Sequence, residues 1–408
     1  MNELFAPLSD ESLSLLHSVP ALIDKTFPLP GRFRAGLPAD VAELSRLMTS
    51  SRGERDVSYL SRPNHQSAYL RYFLPWNIFR LCKLLPNLNI SLAPGDTIVD
   101  LGCGPLSFAS ALWISRPDLR KIPLEFRCID RTAPVLEAGR KFFAELANTE
   151  SPHCPWKIIT IRGSINPTGT IRYNTGKKPA KGKPNHRQNF PGRGRPAALV
   201  CAVNVFNEIH KNISPSDKGG MKKAAINSAQ LLDSFTADSA SILVVEPGVP
   251  FSGEFISCLR DELTEMELFP LSPCPHCGSC PIPGGGSGTG KKRWCHFAFD
   301  TGEAPSALHR LSAAAGIPKE RAVLSFLYAV SGQISRNKYT EAVRVISDAF
   351  PVADGKFGRY GCSGQGLILV TGKRAEMETC DSGALINAVV QKNGERDSKS
   401  GALLASIK

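Results

Sequence analysis

The feature that most constrains the fold is a regular alternation between short β-branched runs and longer segments with helical periodicity. Five runs predict strands, and they cover residues 97–102, 124–130, 156–162, 197–203 and 241–246. The residues between consecutive runs are numerous enough for a crossover, and 133–147 and 222–235 have helical patterns. Because parallel strands require such crossovers, the alternation predicts an α/β fold with an open, mostly parallel sheet.

Composition and pattern divide the chain into five predicted regions. A helical region precedes the sheet, a cysteine-rich metal segment is inserted after it, and antiparallel C-terminal strands complete the sheet and the metal site. A polar tail, expected to be disordered, follows these strands. The predicted bounds are 1–90 for the helical region, 91–250 for the core with a flexible basic insertion at 163–196, 251–310 for the cysteine-rich segment, 311–372 for the C-terminal strands and 373–408 for the tail.

A glycine turn follows the first predicted strand, in the run Val99-Asp-Leu-Gly-Cys-Gly-Pro. Gly102 and Gly104 allow the backbone to turn tightly and to approach a ligand without a clash at Cβ. Asp130 ends the next strand, where nucleotide-binding sheets place an acid that accepts hydrogen bonds from ribose hydroxyls. The pattern resembles motif I of class I S-adenosylmethionine-dependent methyltransferases. It predicts a Rossmann-like sheet that binds S-adenosylmethionine through Asp100, Gly102, Gly104 and Asp130.

The end of the fourth predicted strand has the sequence Asn204-Val-Phe-Asn207-Glu208. Amino-methyltransferases often have an Asn or Asp there, followed by two prolines and an aromatic residue, and this sequence lacks that motif. Asn204, Asn207 and Glu208 are candidates for binding cofactor or substrate, with Asn204 assigned to the cofactor site. Capping of the following helix explains the same residues equally well. No catalytic residue is therefore predicted.

A group of cysteines late in the chain predicts a metal site. Its members are Cys274, Cys277, Cys280 and Cys295. The spacing suits a cubane iron–sulfur cluster. It suits tetrahedral zinc equally well, with His276 or His296 as a spare ligand. A redox thiol pair would be accompanied by a thioredoxin-like pattern, which the sequence lacks, so the spacing leaves iron–sulfur and zinc as open alternatives.

The charge distribution points to a polyanionic partner. The chain has a net charge of +12, and residues 151–207 contain ten Lys and Arg and no Asp or Glu. Such a basic excess favours nucleic acid as a partner, although a solvated loop has the same composition. No run is long and apolar enough to span a membrane. The first 18 residues contain no Lys or Arg, so we expect a cytoplasmic protein with reduced cysteines.

Several longer runs, spread over residues 40 to 372, extend the likeness to one family. They are Leu44-Ser-Arg-Leu-Met-Thr-Ser-Ser-Arg-Gly-Glu-Arg, Ala68-Tyr-Leu-Arg-Tyr-Phe-Leu-Pro-Trp-Asn, the glycine turn, Cys274-Pro-His, Cys280-Pro, Trp294-Cys-His-Phe and Gly358-Arg-Tyr-Gly-Cys. With these runs the chain resembles the methyltransferase-like proteins associated with the small ribosomal subunit, known in mitochondria as small-subunit assembly factors and also found in bacteria.

This resemblance implies a [4Fe–4S] cluster bound by four cysteines. Cys274, Cys280 and Cys295 match the first three ligands. Cys362 is the best match for the fourth, and Cys277 is the alternative ligand. The resemblance also implies binding to small-subunit rRNA and a role in ribosome assembly or translation, and we expect a monomer. The alternative functions are an active S-adenosylmethionine-dependent rRNA or protein methyltransferase and a zinc-binding, nucleic-acid-binding protein.

Overall fold

The computed structural model describes residues 3–49, 62–150, 153–173, 196–214, 217–282, 293–332, 341–391 and 394–408. The chain forms two compact units. The glycine-turn unit comprises Pro7–Val203 and Asp300–Glu320, and the cysteine unit comprises Met1–Ala6, Asn204–Phe299 and Arg321–Lys408. No helix in the described part of the chain is both long enough and apolar enough to cross a bilayer.

The helices of both units are numbered along the chain. They are α1 (Asp10–Thr26), α2 (Gly31–Arg34), α3 (Leu37–Met48), α4 (Pro63–Ala68), α5 (Leu74–Leu84), α6 (Ser107–Ser115), α7 (Ala133–Asn148), α8 (Phe206–Ile209), α9 (Lys218–Asp233), α10 (Pro250–Glu265), α11 (Ser306–Ala314) and α12 (Arg374–Glu378). A π-helical turn, Tyr69–Phe73, joins α4 to α5.

The strands are numbered in the same way. They are β1 (Thr97–Leu101), β2 (Leu124–Asp130), β3 (Trp156–Ile165), β4 (Ile171–Tyr173), β5 (Ala197–Val203), β6 (Thr236–Pro247), β7 (Leu268–Ser272), β8 (Phe297–Asp300), β9 (Arg321–Ser331), β10 (Ala342–Val345), β11 (Phe350–Pro351), β12 (Phe357–Ser363), β13 (Gly366–Gly372), β14 (Leu385–Val390) and β15 (Leu403–Ile407).

In the glycine-turn unit the strand order is β4-β3-β2-β1-β5. The strands β3, β2, β1 and β5 are mutually parallel. With β5 counted as the fourth parallel strand, this is the 3-2-1-4 order that spans the switch point of a Rossmann-like sheet. Every residue of β1 is buried, as expected for a central strand covered on both faces. The carboxyl ends of β1, β2 and β5 therefore meet at the edge where such sheets bind ligands.

In the cysteine unit, β9 lies between β6 and β7 and runs antiparallel to both. The helices α9 and α10 pack against β6 and against each other. Parallel strands with crossover helices, followed by an antiparallel strand at the end of the domain, are the architecture of class I S-adenosylmethionine-dependent methyltransferases. The predicted α/β, methyltransferase-like fold is thus confirmed.

The last part of the cysteine unit is a separate small barrel, which corrects two predictions. Its strand order is β10-β14-β15-β13-β12-β11, and β10 also pairs with β12, so the sheet closes on itself. The strands of 311–372 were predicted to complete the main sheet; β9 joins it, whereas β10 to β13 belong to the barrel. The expected disordered tail, 373–408, contains α12, β14 and β15. Buried side chains alternate with more exposed ones in β14, and Ile386, Ala388 and Ala405 fill the barrel core.

The predicted flexible insertion at 163–196 is also corrected in its first part. The strand β3 continues to Ile165 and pairs with β4 in an antiparallel hairpin, with Ile165 opposite Ile171. Gly169, in the left-handed region at φ 72°, closes the turn. The apolar cross-strand pair explains why this polar stretch is ordered. The remainder of the basic stretch, 174–195, lies outside the described residues.

Candidate functional site

The glycine turn after β1 adopts a backbone that favours glycine. Gly102 and Gly104 have φ values of 65° and 52°, and Leu106 follows at 60°. Helix α7 approaches this turn closely, since a Cβ added to Gly139 would lie 2.5 Å from the carbonyl carbon of Pro105. The turn is therefore fixed both by its own glycines and by the small residue that faces it from α7.

Asp130, at the end of β2, ties the turn to the neighbouring strand. One carboxylate oxygen accepts a hydrogen bond from the amide of Gly104 at 3.1 Å, and the other accepts one from the amide of Thr132 at 2.8 Å. Burial raises the pKa of Asp130, and the two amides oppose that rise. The carboxylate thus shapes the turn, and each oxygen retains a lone pair for a ligand hydroxyl.

Asp100 is the most unusual group in this unit. It is 1% exposed, and among the described residues neither of its carboxylate oxygens accepts a hydrogen bond from an N–H or O–H group. Cys128 and Cys201 stand beside it in register on the two flanking strands. Burial raises the pKa of Asp100 to about 8, and the thiol of Cys201, a weak donor, opposes part of the rise. A buried acid with only a weak donor beside it is costly, so a cationic or strongly donating ligand group would be stabilised there.

Tyr69 is a further residue at the turn that the sequence reasoning did not assign. Its hydroxyl lies 3.9 Å from the position that a Cβ on Gly104 would take. The π-helical turn Tyr69–Phe73 carries it, and the Tyr69 and Phe73 rings stack with centroids 5.6 Å apart. The N-terminal helices thus bring a phenol to the glycine turn. The only signal in the sequence was the aromatic run from Ala68 to Asn77.

Asn204 belongs to the cysteine unit, where a buried acid fixes its loop. It has a left-handed φ of 56°, and its amide donates to Val245 at 2.7 Å. The amides of the next three residues all donate to the carboxylate of Glu246, at 3.0, 2.8 and 3.2 Å. Burial raises the pKa of Glu246 to about 8 while these amides oppose the rise. Glu246 was not predicted, although an acid in an otherwise apolar strand was a signal for it.

The four cysteines implied by the family resemblance form one electrostatic group. This four-thiol group consists of Cys274, Cys280, Cys295 and Cys362. Burial, followed by the charges of the other three members, raises the pKa of Cys362 well above its ordinary value. Burial and the charges of Cys274 and Cys280 do the same for Cys295. Cys277, the alternative ligand, is partly exposed, and the choice between it and Cys362 stays a prediction.

Arginine side chains hold the segments that carry these thiols. Arg260, on α10, is 3% exposed and donates through Nε to the Sγ of Cys274 at 3.3 Å. It also donates to the main-chain carbonyls of His276, at 3.1 Å, and Gly278. Arg344 faces Cys362 across the β10–β12 pair and donates to the carbonyl of Pro273 at 2.9 Å. The buried guanidinium of Arg344 thereby links the barrel to the cysteine loop, and that of Arg260 links the loop to α10.

The four-thiol group is a sulfur-only donor set. Cys362 is buried, the other three thiols are partly exposed, and the guanidinium of Arg260 lies beside Cys274. Within the described residues, no three His, Cys, Asp or Glu side chains lie close enough together to hold one metal ion. By its chemistry the set suits a cubane cluster, and it also suits zinc.

Residues 225–357 match the family model described as "Mitochondrial small ribosomal subunit Rsm22". This chain is similar to the Rsm22 family. The predicted resemblance is confirmed over that segment, which is less than half of the chain. The Rsm22 match includes Glu246, Arg260 and three of the four thiols, and it ends before Cys362. A search of curated proteins gave no match.

Solved structures similar to the chain include methyltransferases of low sequence identity. A protein described as a class I S-adenosylmethionine-dependent methyltransferase from Listeria monocytogenes is 10% identical, with 80% of this chain and 88% of that chain covered and a TM-score of 0.33. A protein described as a methyltransferase, in complex with the Haloferax volcanii activator Trm112, is 12% identical, with coverages of 64% and 90% and a TM-score of 0.29. The methyltransferase domain of the citrinin polyketide synthase is 14% identical, with coverages of 73% and 66% and a TM-score of 0.34.

Proposed function

We propose that this protein binds the small ribosomal subunit and its rRNA, acts in ribosome assembly or translation, and contains a [4Fe–4S] cluster. The observation that carries the proposal is the Rsm22 match over residues 225–357, which contains most of the four-thiol group. The name of that family supplies the ribosomal partner. The excess of positive charge, +12 over the whole chain, favours an RNA surface on electrostatic grounds.

The four-thiol group would hold the cluster. When bound, a [4Fe–4S] cluster supplies iron–thiolate bonds that cross-link the segments carrying its ligands. Cys274, Cys280 and Cys295 lie in the loops after β7 and before β8, and Cys362 lies in the barrel strand β12. Arg260 donates a hydrogen bond to the Sγ of Cys274 and would hold that sulfur in position. Four protein ligands leave no open position for a substrate, so the cluster would have a structural role.

S-adenosylmethionine is the small molecule proposed for the glycine turn. Its ammonium group would satisfy the buried Asp100 carboxylate, which accepts no hydrogen bond from an N–H or O–H group among the described residues. Asp130 would accept from ribose hydroxyls, and Gly102 and Gly104 would allow the ligand to approach the main chain. Asn204 remains proposed for the same ligand. The cofactor would supply an activated methyl group, and an active rRNA or protein methyltransferase is the second candidate function.

Two features of the loop after β5 weigh against an active methyltransferase. Glu246 binds the amides of Val205, Phe206 and Asn207, so this loop is held by an internal acid. The loop also lacks the Pro-Pro-aromatic sequence of amino-methyltransferases. The geometry therefore favours a binding protein that retains the fold of an enzyme.

The compartment and the oligomeric state are part of the proposal. The sequence favoured a cytoplasmic monomer, whereas the Rsm22 family name points to mitochondria. Either location gives the protein a small ribosomal subunit as partner. Fractionation of cells from the source organism, with the endogenous protein detected by antibody, distinguishes the two locations.

Sedimentation tests the ribosomal proposal. The epitope-tagged protein, expressed in its own organism, should co-sediment with small subunits on a sucrose gradient. Asp100→Asn and Gly102→Ala should leave that co-sedimentation unchanged if the protein acts by binding. Protein that stays at the top of the gradient contradicts the ribosomal proposal. Loss of a methyl mark on rRNA in the Asp100→Asn strain supports the active methyltransferase instead.

A further inference from the structure

The C-terminal barrel has a connectivity associated with nucleic-acid binding. If β10 and β11 are counted as one bent first strand, the barrel has five strands. Numbered along the chain, they lie in the order 1-2-3-5-4 around the barrel, and strand 4 pairs with strand 1 to close it. All pairs are antiparallel except β13 with β15, the third with the fifth, which are parallel. Helix α12 lies between the third and fourth strands. This is the topology of the OB-fold, whose second and third strands form the usual ligand face.

A fold alone does not establish a ligand, so the ligand is inferred from the side chains on that face. Ile368 and Val370 of β13 point into the barrel core. Tyr360 of β12 pairs with Leu369, which lies between them in sequence and therefore on the opposite face. Tyr360 is thus on the outer surface of the second and third strands, and it is partly exposed.

Tyr360 belongs to a row of flat groups. Its ring centroid lies 5.0 Å from that of Phe350, with the planes 31° apart. The guanidinium of Arg293 lies 4.9 Å from the Tyr360 centroid. All three side chains are partly exposed. The Tyr360 main chain is anchored, because its amide donates to Ser347 Oγ at 2.8 Å and its carbonyl accepts from Ile346 at 2.9 Å. The stack is therefore preorganised.

A second aromatic pair follows Arg293 directly in the chain. Trp294 and His296 stack with centroids 4.7 Å apart, and both are partly exposed. Asp348 lies two residues before Phe350, and Arg321 lowers the pKa of its carboxyl. Arg321 forms two hydrogen bonds of 2.7 Å with Asp348, which neutralises the acid. The surface therefore combines aromatic rings with positive charge.

We propose that single-stranded RNA binds this barrel surface, with unpaired bases stacking against Phe350, Tyr360 and Arg293. Bases stack on aromatic rings and on guanidinium planes, and the arginine can also meet a phosphate. RNA is chosen over DNA because the proposal rests on the proposed ribosomal function. A double helix hides the faces of its bases, so this surface should favour single strands.

Fluorescence anisotropy of the full-length protein with a labelled, uridine-rich 12-nucleotide RNA tests the proposal. Tyr360→Ala and Phe350→Ala should each weaken binding by about fivefold to about 100-fold, the range expected for one lost base stack. Tyr360→Phe keeps the ring and should bind like the unmodified protein. Phe33→Ala is the matched control, because Phe33 is an exposed aromatic residue of the other unit, at 52% exposure, and should change nothing.

Two further measurements make the result decisive. Thermal melting of each variant shows whether the barrel remains folded, and Tyr360→Phe separates loss of stacking from loss of structure. The same RNA annealed to its complement should bind at least several-fold more weakly. Equal affinity of the unmodified protein and both alanine variants, or equal affinity for the duplex, overturns the proposal. Co-sedimentation with small subunits is scored separately, so protein that co-sediments but shows no stacking loss refutes only this barrel surface.

Discussion

The glycine turn and the four-thiol group differ in how the chain builds them. The turn is local: Gly102 and Gly104 follow one strand, and Asp130 ends the strand beside it. The four-thiol group is assembled from distant segments, because Cys362 lies in a barrel strand far along the chain from Cys274. A local site is fixed by backbone conformation, whereas a dispersed site depends on the packing of whole elements. The two sites should therefore fail in different ways when residues are changed.

The largest expected effect is the loss of the cluster from a variant at the distant ligand. Cys362→Ser should purify anaerobically without stoichiometric iron, because a cubane missing one thiolate is poorly retained. Cys380→Ser is the matched control, since Cys380 is a buried cysteine of the same barrel, and it should keep its iron. Iron and sulfide assays of both variants measure how much cluster each retains. Full iron in Cys362→Ser would show that the site is local after all.

A backbone change tests the glycine-turn side of the comparison. Gly139→Ala places a methyl group 2.5 Å from the Pro105 carbonyl carbon, and overpacking of this kind costs about 1–3 kcal/mol in the free energy of unfolding. Gly31→Ala is the control, because a Cβ there meets nothing within 4 Å. Urea denaturation measures both variants. A Gly139→Ala variant as stable as the control would mean that α7 does not restrain the turn.

The titration of Asp100 provides a pH test. Its pKa of about 8 lies above the ordinary value for Asp of about 3.9, so the folded protein retains a proton that the unfolded chain releases. Its contribution to stability is full below the ordinary value and is lost as the pH rises through about 8. The free energy of unfolding should decline from pH 5 to pH 8.5 and decline less in Asp100→Asn. The same slope in both proteins would contradict the buried acid.

Binding of S-adenosylmethionine tests the same carboxylate directly. The affinity for S-adenosylmethionine should fall on the order of tenfold in Asp100→Asn, because a charge-assisted hydrogen bond is lost. Isothermal titration calorimetry at pH 8.5 measures the affinity. The matched control is Asp118→Asn, an exposed acid of the same unit that pairs with Arg116. Unchanged affinity in Asp100→Asn would remove this residue from the ligand site.

The smallest expected effect belongs to Cys277. Because the family resemblance assigns the fourth ligand to Cys362, Cys277→Ser should keep the iron content and the absorbance of the unmodified protein. The measurement is paired with Cys362→Ser, since the two residues are the alternative fourth ligands. Iron lost from Cys277→Ser and kept in Cys362→Ser would reverse the assignment.

The same contrast explains what could be predicted from the sequence. The strands and the glycine turn followed from β-branched runs and from glycine's freedom at positive φ, which are local properties. Spacing alone favoured Cys277 as a ligand, and only family resemblance suggested Cys362. The barrel strands β14 and β15 were missed because each is a short apolar run within an otherwise polar stretch. Glu246 was missed because its role depends on a loop that meets it only in the folded chain.

The central claim is that the four-thiol group of this chain binds an iron–sulfur cluster. Metal analysis with an absorption spectrum of anaerobically purified, full-length protein tests it most directly. The account predicts brown protein with four irons and four sulfides per chain, and a broad band near ~400 nm from thiolate-to-iron charge transfer. Colourless protein that contains stoichiometric zinc, or no metal, would contradict it.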